Sequence, residues 1–201
     1  MQELKRLKAI ADIGLLYSSN EYEKERYLEI QQISFSLLSK TSGVDVEELK
    51  RNFRSVQDYP TAKVDIRGMI LSPDKKILFV KESSDEKWSL PGGWGEIGNS
   101  PAETIMKECK EEAGLEIVPK KLLAVFDKRK HPHPPQLSYV YKMVFHCEAV
   151  AKEINKGFDV LDVQYFSIDS LPELSENRIL KSQVELVYKK IINVDVEAYF
   201  D

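Results

Sequence analysis

One stretch of the chain constrains the fold more than any other: residues 92–115, which read GGWGEIGNSPAETIMKECKEEAGL. A glycine-rich loop leads into a segment that carries helix signals at both ends. Ser100 can cap the first turn, Pro101 suits the first helical position, and Glu103 completes a Ser-x-x-Glu capping box. Gly114 suits the left-handed residue that ends a helix. The sequence therefore predicts a short helix with well-defined ends.

The predicted helix, from about Pro101 to Ala113, has an apolar face and an acidic face. At about 100° per residue, the apolar face, which we expect to be buried, holds Ala102, Ile105, Met106, Cys109 and Ala113. The acidic face holds Glu108, Glu111 and Glu112, which repel one another at spacings of three and four residues. Such a face either points into water, with Lys107 as a pairing partner, or holds a divalent cation, since Mg²⁺ takes oxygen ligands. The glycine loop lets the backbone approach a ligand closely and favours the cation.

This stretch resembles the Nudix box, G-x5-E-x7-R-E-U-x-E-E-x-G-U, in which U is a bulky aliphatic residue. The aligned residues are Gly93, Asn99, Lys107, Glu108, Cys109, Glu111, Glu112, Gly114 and Leu115. Two positions depart from the pattern, because Asn99 replaces the first glutamate and Lys107 replaces the arginine. The resemblance implies a Mg²⁺ or Mn²⁺ site formed by Glu108, Glu111, Glu112 and Gly93. It also implies that Lys107 steadies the glutamates, although a lysine holds a carboxylate less rigidly than an arginine.

Residues 1–58 are predicted to form a separate helical domain, because apolar residues recur there at helical spacing. A segment of about 58 residues buries little core alone. We therefore expect its apolar stripes to cover the next domain or a second subunit. A plain structural cap is one interpretation, and we favour the other, a homodimerisation element that also shapes the substrate pocket. The helical start, followed by YPTAKVDIRG, also resembles a Nudix subgroup with an N-terminal helical extension. That resemblance implies ADP-ribose or CDP-choline pyrophosphatases that form dimers.

Residues 59–201 are the predicted catalytic domain, which begins within the linker Gln57–Pro60. The alternating patterns predict a hairpin of strands 62–71 and 76–81, further strands at 121–128, 137–149 and 159–167, and a closing helix at 182–192. The order of elements predicts an α+β fold. The resemblance implies a Nudix α/β/α sandwich with a mixed sheet, preceded by the small all-α domain.

A stiff basic loop, Asp127 to Pro135, follows one of the predicted strands. Its cations could face substrate phosphates or form a solvated charge run, and both interpretations stay open. The candidates for phosphate binding are Arg67, Lys81, Arg129, His131 and His133. Arg67 could instead be a strand residue with a packed stem. We do not expect zinc at the two histidines, because no third nitrogen or sulfur ligand lies nearby in the sequence.

Composition limits the classes of function. A net charge of −4 over 201 residues argues against a surface built for nucleic acid or for an anionic membrane. The sequence has no apolar run near the roughly 18 residues typical of a membrane span and no secretory signal pattern at its start. Cys109 and Cys147 lack metal-type neighbours, which is typical of a reduced interior. We therefore expect a cytoplasmic protein.

The residues and the resemblance together predict a metal-dependent hydrolase. It would cleave the pyrophosphate bond of a nucleoside diphosphate linked to a group X, of the ADP-ribose or CDP-choline type, to give NMP and X-phosphate. The general base stays open, with Glu153 and Asp162 as weak candidates for an extra acidic group. Two alternatives remain: a non-catalytic Nudix module that senses nucleotides or binds proteins, and an RNA-end processing hydrolase.

Overall fold

The computed structural model describes residues 1–53, 59–150, 153–193 and 197–201. Its helices are α1 (Gln2–Tyr17), α2 (Glu21–Ser42), α3 (Val46–Asn52), α4 (Pro101–Ala113) and α5 (Lys181–Ile192). Its strands are β1 (Lys63–Ile70), β2 (Ile77–Glu82), β3 (Trp88–Ser89), β4 (Gly92–Trp94), β5 (Ile117–Asp127), β6 (Val140–Ala149), β7 (Val160–Phe166) and β8 (Tyr199–Phe200). None of the helices in these ranges is long and apolar enough to cross a membrane.

Contacts between residues divide the chain into two compact units. The first comprises Met1–Ala62 with Pro135–Ser138, and the second comprises Lys63–Pro134 with Tyr139–Asp201. The predicted linker residues Gln57 and Asp58 lie outside the described residues. The predicted boundary between residues 58 and 59 therefore stays a prediction.

The first unit is built from α1, α2 and α3, in the order that the helical spacing predicts. The side chain of Asn20 accepts a hydrogen bond from the N–H of Tyr22 and caps α2, which ends at Gly43 with a φ of 73°. Asp45 caps α3. Phe35, Leu38 and Leu49 form the buried core of this unit. Large apolar side chains remain exposed on its two long helices: Ile10, Tyr17, Tyr22, Leu28, Ile33 and Leu37.

The second unit contains a mixed sheet with the strand order β4-β1-β6-β5-β8 and a smaller sheet with the order β3-β2-β7. β1 runs parallel to β6 and antiparallel to β4. The predicted pairing of β1 with β2 in a hairpin is therefore wrong. Next to the predicted turn, Leu71 and Ile77 make an isolated antiparallel bridge. A strand has two hydrogen-bonding edges, and β4 and β6 occupy both edges of β1. β2 instead pairs with β3 and β7 in the smaller sheet.

Two apolar cores lie in the second unit, one packed by α4 and the other by α5. The core beside α4 contains Ile66, Ile70, Leu78, Ile105, Cys109, Ala113, Leu115, Ile117 and Cys147. The core beside α5 contains Met69, Phe79, Phe126, Val144, Ile179, Val184 and Val187 among its buried residues. Alternate residues of β1 and β2 enter different cores, as strand geometry requires. The predicted α+β fold with a mixed sheet is confirmed.

Candidate active site

The helix α4 has the ends that the sequence predicts. The hydroxyl of Ser100 accepts from the N–H of Glu103 at 3.2 Å, and the Glu103 carboxylate accepts from the N–H of Ser100 at 2.8 Å. Gly114 ends the helix with a φ of 64°. One prediction on the buried face is wrong: Met106 is 45 % exposed, and Thr104 is buried instead. The buried face is thus rotated around the helix axis, away from Met106 and toward Thr104 and Glu112.

A segment after β6 covers the C-terminal end of α4. The N–H of Asn155 donates to the carbonyl of Ala113, and the N–H of Gly157 donates to the carbonyl of Glu112, both at 2.9 Å. A Cβ on Gly157 would lie 1.8 Å from the carbonyl oxygen of Glu111. This close backbone contact holds the end of the acidic helix against the strand β7 that follows.

The glycine loop meets the acidic face of α4 directly. The N–H of Gly92 donates to the Glu112 carboxylate at 2.8 Å. Gly92 has a φ of 139°, and a Cβ there would lie 2.0 Å from the carbonyl oxygen of Ile66. A Cβ on Gly93 would lie 2.4 Å from Oε1 of Glu108. The two glycines are therefore required by the close approach of β1 on one side and of a carboxylate on the other.

The three box glutamates lie in different environments. Glu112 is buried, Glu108 is half-buried, and Glu111 is exposed. Burial raises the pKa of Glu112 to about 8, against the opposing effects of Arg67 and the Gly92 N–H, and nearby carboxylates add to the rise. Burial also raises the pKa of Glu108, with Arg67 opposing the change. Protonation or a bound cation would relieve the desolvation cost of the buried Glu112 charge and of the half-buried Glu108 charge.

The chemistry of this donor set fits a hard divalent cation such as Mg²⁺ or Mn²⁺. Carboxylate oxygens of Glu108 and Glu112 reach the glycine loop, whose missing side chain at Gly93 leaves the space that Glu108 uses. Among the described residues, no three His, Cys, Asp or Glu side chains are already grouped to hold an ion. The role predicted for Glu111 therefore stays a prediction, as does that of Gly93.

Lys107 takes a different partner from the one that the resemblance implies. Its amine donates to the Glu96 carboxylate in the glycine loop at 3.0 Å. This hydrogen bond raises the pKa of Lys107, and the charges of Glu111 and Glu108 add to it. The steadying of the box glutamates by Lys107 stays a prediction: its direct contact is with the loop, and the glutamates act on it through charge.

Arg67 lies in a buried network beside the box, so its predicted direct contact with phosphate finds no support in these contacts. Its Nε donates to Asp65 at 2.8 Å, and one of its terminal nitrogens donates to the carbonyl of Leu90 at 3.0 Å. Burial alone would raise the pKa of Asp65, but the charges and hydrogen bonds of Arg67 and Lys142 lower it to about 2. Lys142 is fully buried and pairs with Asp65.

Three of the other phosphate candidates, Arg129, His131 and His133, contact protein partners. Arg129 pairs with Asp127 and lies over the ring of Tyr139. His131 contacts the Asp201 carboxylate at 3.0 Å. His133 contacts the carbonyl of Glu176 at 2.6 Å through Nδ1, and burial lowers its pKa to about 4. Lys81 is half-buried on β2, opposite Asp162 in the ladder with β7. Their roles in phosphate binding stay predictions.

Sequence reasoning missed several groups near the box. Asp159 raises the pKa of Glu108 through its charge, whereas the sequence pointed to Glu153 and Asp162. Asp65, Glu82 and Lys142 were also missed. The spacing of Asp65 and Arg67 could have found one pair, because residues two apart in a strand share a face. Glu82 and Lys142 lie on β2 and β6, which are distant from each other in the sequence.

Comparison with known proteins decides the family. A model of the NUDIX domain matches residues 62–186, more than half of the chain. The chain belongs to the Nudix family. The predicted enzyme class, a Nudix pyrophosphohydrolase, and the predicted Nudix fold are both confirmed. A second model, described as a UDP-X-like N-terminal oligomerisation domain, matches residues 1–53 of this Nudix protein.

Relatives extend over the whole chain. The Bacillus subtilis protein YjhB, whose assignment as an ADP-ribose pyrophosphatase is itself provisional, is 38% identical over 201 residues, which cover 100% of this chain and 96% of that protein. A crystal structure of a UDP-X diphosphatase is 34% identical with a TM-score of 0.66, covering 100% of this chain and 97% of that one. The structure of an ADP-ribose pyrophosphatase from Streptococcus suis is 34% identical with a TM-score of 0.63, covering 70% of this chain and 100% of that one.

Proposed function

We propose that this Nudix protein hydrolyses the pyrophosphate bond of a nucleoside diphosphate linked to a group X and yields NMP and X-phosphate. One observation carries the proposal: a buried carboxylate, Glu112, and a half-buried one, Glu108, meet the glycine loop, and burial raises the pKa of both. The relatives support the substrate class, since they are named as an ADP-ribose pyrophosphatase and a UDP-X diphosphatase.

The residues that would hold Mg²⁺ or Mn²⁺ are Glu108, Glu111 and Glu112, with the backbone at Gly93. A bound divalent ion supplies charge neutralisation at the phosphoryl oxygens and lowers the pKa of a bound water. In the net reaction, water adds to one phosphorus, the bridging P–O bond breaks, and the released phosphate carries the leaving oxygen. The chain's own contribution is to exclude water around Glu112 and to fix its carboxylate with the N–H of Gly92.

The substrate panel should contain ADP-ribose, UDP-glucose, CDP-choline, NADH and a 5′-capped RNA, each with Mg²⁺ or Mn²⁺, with products separated by chromatography. We expect NMP and X-phosphate from one or more of the nucleoside diphosphate derivatives. Glu112→Gln keeps an acceptor for the Gly92 N–H and should lower turnover by at least about 100-fold, the upper range for residues that merely support metal ligands. Glu116→Gln is the matched control, because Glu116 is exposed and pairs with Lys110.

The two alternatives predict different results from the same panel. A non-catalytic module would bind nucleotide and metal without forming any product. An RNA-end hydrolase would release product from the capped RNA and leave the small nucleotides intact. Equal turnover by wild type and Glu112→Gln would contradict the proposed site whichever substrate is cleaved.

We also propose that the first unit forms a homodimer. Its two long helices expose large apolar side chains, and Ile33 and Leu37 lie one turn apart on α2 at 48 % and 38 % exposure. The match to an oligomerisation domain supports the same conclusion. Light scattering should give twice the mass of one chain, and Ile33→Glu with Leu37→Glu should give the mass of one. A wild-type monomer at micromolar concentration would contradict the proposed dimer.

The cytoplasmic location that the sequence suggests stays a prediction.

A further inference from the structure

A chain of charged side chains of alternating sign runs through the second unit, with four buried members and two half-buried ones at one end. Its members, in spatial order, are Lys142, Asp65, Arg67, Glu82, Arg178 and Asp85. Arg67 contacts Asp65 at 2.8 Å and Glu82 at 3.6 Å, and Arg178 contacts Glu82 at 2.8 Å. Arg67 also donates to the backbone just before Gly92, at the carbonyl of Leu90.

The contacts of Arg67 with that segment are specific. One terminal nitrogen donates to the carbonyl of Leu90 at 3.0 Å and lies 3.3 Å from the hydroxyl of Ser89. The next residue of β1 continues the attachment, since the N–H of Gly68 donates to the carbonyl of Pro91 at 2.9 Å. Gly92 follows immediately, and its N–H donates to the Glu112 carboxylate. A continuous series of short contacts thus joins the guanidinium to a box glutamate.

We propose that Arg67 is a positioning residue for the metal site: it fixes residues 89–92 so that the Gly92 N–H holds the Glu112 carboxylate in place for the cation. The inference rests on the proposed function, because it concerns the same site. Arg67 acts through the peptide backbone and needs no contact with substrate.

The geometry favours this role over direct phosphate binding. Arg67 is 6 % exposed, and its donors already face Asp65, Ser89 and the carbonyl of Leu90. A guanidinium presents donors in a rigid planar fork, which lets one side chain hold the carboxylate on its own strand and the carbonyl on the neighbouring segment. A lysine in its place would keep the charge and supply a single donor group.

The first measurement is Mn²⁺ binding by electron paramagnetic resonance, which needs no substrate. We expect Arg67→Lys and Arg67→Met to weaken Mn²⁺ binding by about 10- to 100-fold, the range typical of residues that orient metal ligands. The same variants should lower kcat and leave KM for the nucleotide substrate nearly unchanged. Circular dichroism establishes that each variant is folded, and Arg67→Lys carries the test if Arg67→Met does not fold.

Arg178→Met is the matched control. Arg178 is a partly buried arginine that shares the Glu82 carboxylate with Arg67, but its other partners are Asp85, Ser84 and Ser175. We expect this variant to lower the melting temperature and to bind Mn²⁺ as wild type does. A purely structural role for Arg67 would give the two arginine variants the same behaviour.

Each remaining outcome overturns a different statement. Unchanged Mn²⁺ binding in both Arg67 variants would overturn the positioning role, and a raised KM with unchanged Mn²⁺ binding would assign Arg67 to phosphate. Failure of both variants to fold would assign Arg67 to the fold alone. A wild-type protein that binds no Mn²⁺ would count against the proposed function itself, before any variant is compared.

Discussion

Asp65 and Glu112 are both buried carboxylates, each 5 % exposed, yet the fold treats them in opposite ways. Asp65 lies between Arg67 and Lys142, and these two cations lower its pKa to about 2 despite burial. Burial raises the pKa of Glu112 to about 8, although Arg67 and one peptide N–H oppose the change. Asp65 therefore has its counter-charges built into the sheet. Glu112 lacks comparable compensation, which is the condition under which a divalent cation from solution binds with most gain.

The largest expected difference is in stability without metal. Asp65→Asn removes one partner of a buried ion pair and should lower the free energy of unfolding by about 3–5 kcal/mol, because Lys142 and Arg67 stay buried without their carboxylate. Glu112, with a pKa of about 8, is largely protonated at pH 7 without metal, so Glu112→Gln exchanges one neutral group for another, keeps the acceptor for Gly92, and should change this free energy by less than about 1 kcal/mol. Urea unfolding at pH 7 with EDTA measures both. Equal losses of unfolding free energy in the two variants would contradict the proposed difference between Asp65 and Glu112.

The pH dependence of stability should differ in sign between the two carboxylates. The pKa of Glu112 rises from 4.5 to about 8 on folding, so the folded, metal-free state binds the extra proton between these values. Its stability should therefore fall as the pH rises from about 4.5 to 8, by an amount on the order of a few kcal/mol. Glu112→Gln should remove this slope, and Mg²⁺ should restore stability at pH 8.

Asp65 gives the opposite trend at acid pH. Its pKa falls from 3.8 to about 2 on folding, so its contribution is complete above pH 3.8 and is lost as the pH falls through about 2. Asp65→Asn should flatten the acid limb of the stability curve and leave the slope between pH 4.5 and 8 in place. A single pH profile shared by both variants would show that the two groups are coupled.

A smaller effect should come from the glycine loop. Gly93→Ala places a Cβ 2.4 Å from Oε1 of Glu108, so the carboxylate must move and turnover should fall by about 10-fold. Gly95→Ala is the control in the same loop, because its Cβ would meet atoms no closer than 3.4 Å. Both proteins should melt near the wild-type temperature. A similar loss of turnover in both would point to loop stiffness as the cause.

The smallest effect should come from Lys107. Its ion pair with Glu96 is exposed, so Lys107→Ala should leave the melting temperature and turnover close to the wild-type values. Lys110→Ala is the control, since Lys110 lies on the same helix as Lys107 and has a comparable exposed pair with Glu116. A large loss of turnover in Lys107→Ala alone would restore the steadying role that the resemblance to the Nudix box implies.

Much of the molecule could be predicted from local signals. The ends of α4 followed from Ser100, Glu103 and Gly114, because capping depends on residues within one turn of each other. The helices of the first unit followed from apolar spacing in the same way. The partner of β1 could not be predicted in this way, since an alternating strand pattern is equally compatible with β2 or with β6, whose paired residues lie 77 positions later. The parallel pairing with β6 arises from the competition for strand edges.

The sequence by itself determined the acidic helix, the glycine loop before it and the Nudix family, because each depends on residue types at short, fixed spacings. Only the tertiary structure decided which of the glutamates is buried and what surrounds it. Glu108, Glu111 and Glu112 are equivalent by spacing, yet burial separates them, and the counter-charges of Asp65 come from β1 and β6 together. The pKa of a carboxylate depends on its burial and on charged groups that the fold brings close to it. Neither can be read from the order of residues along the chain.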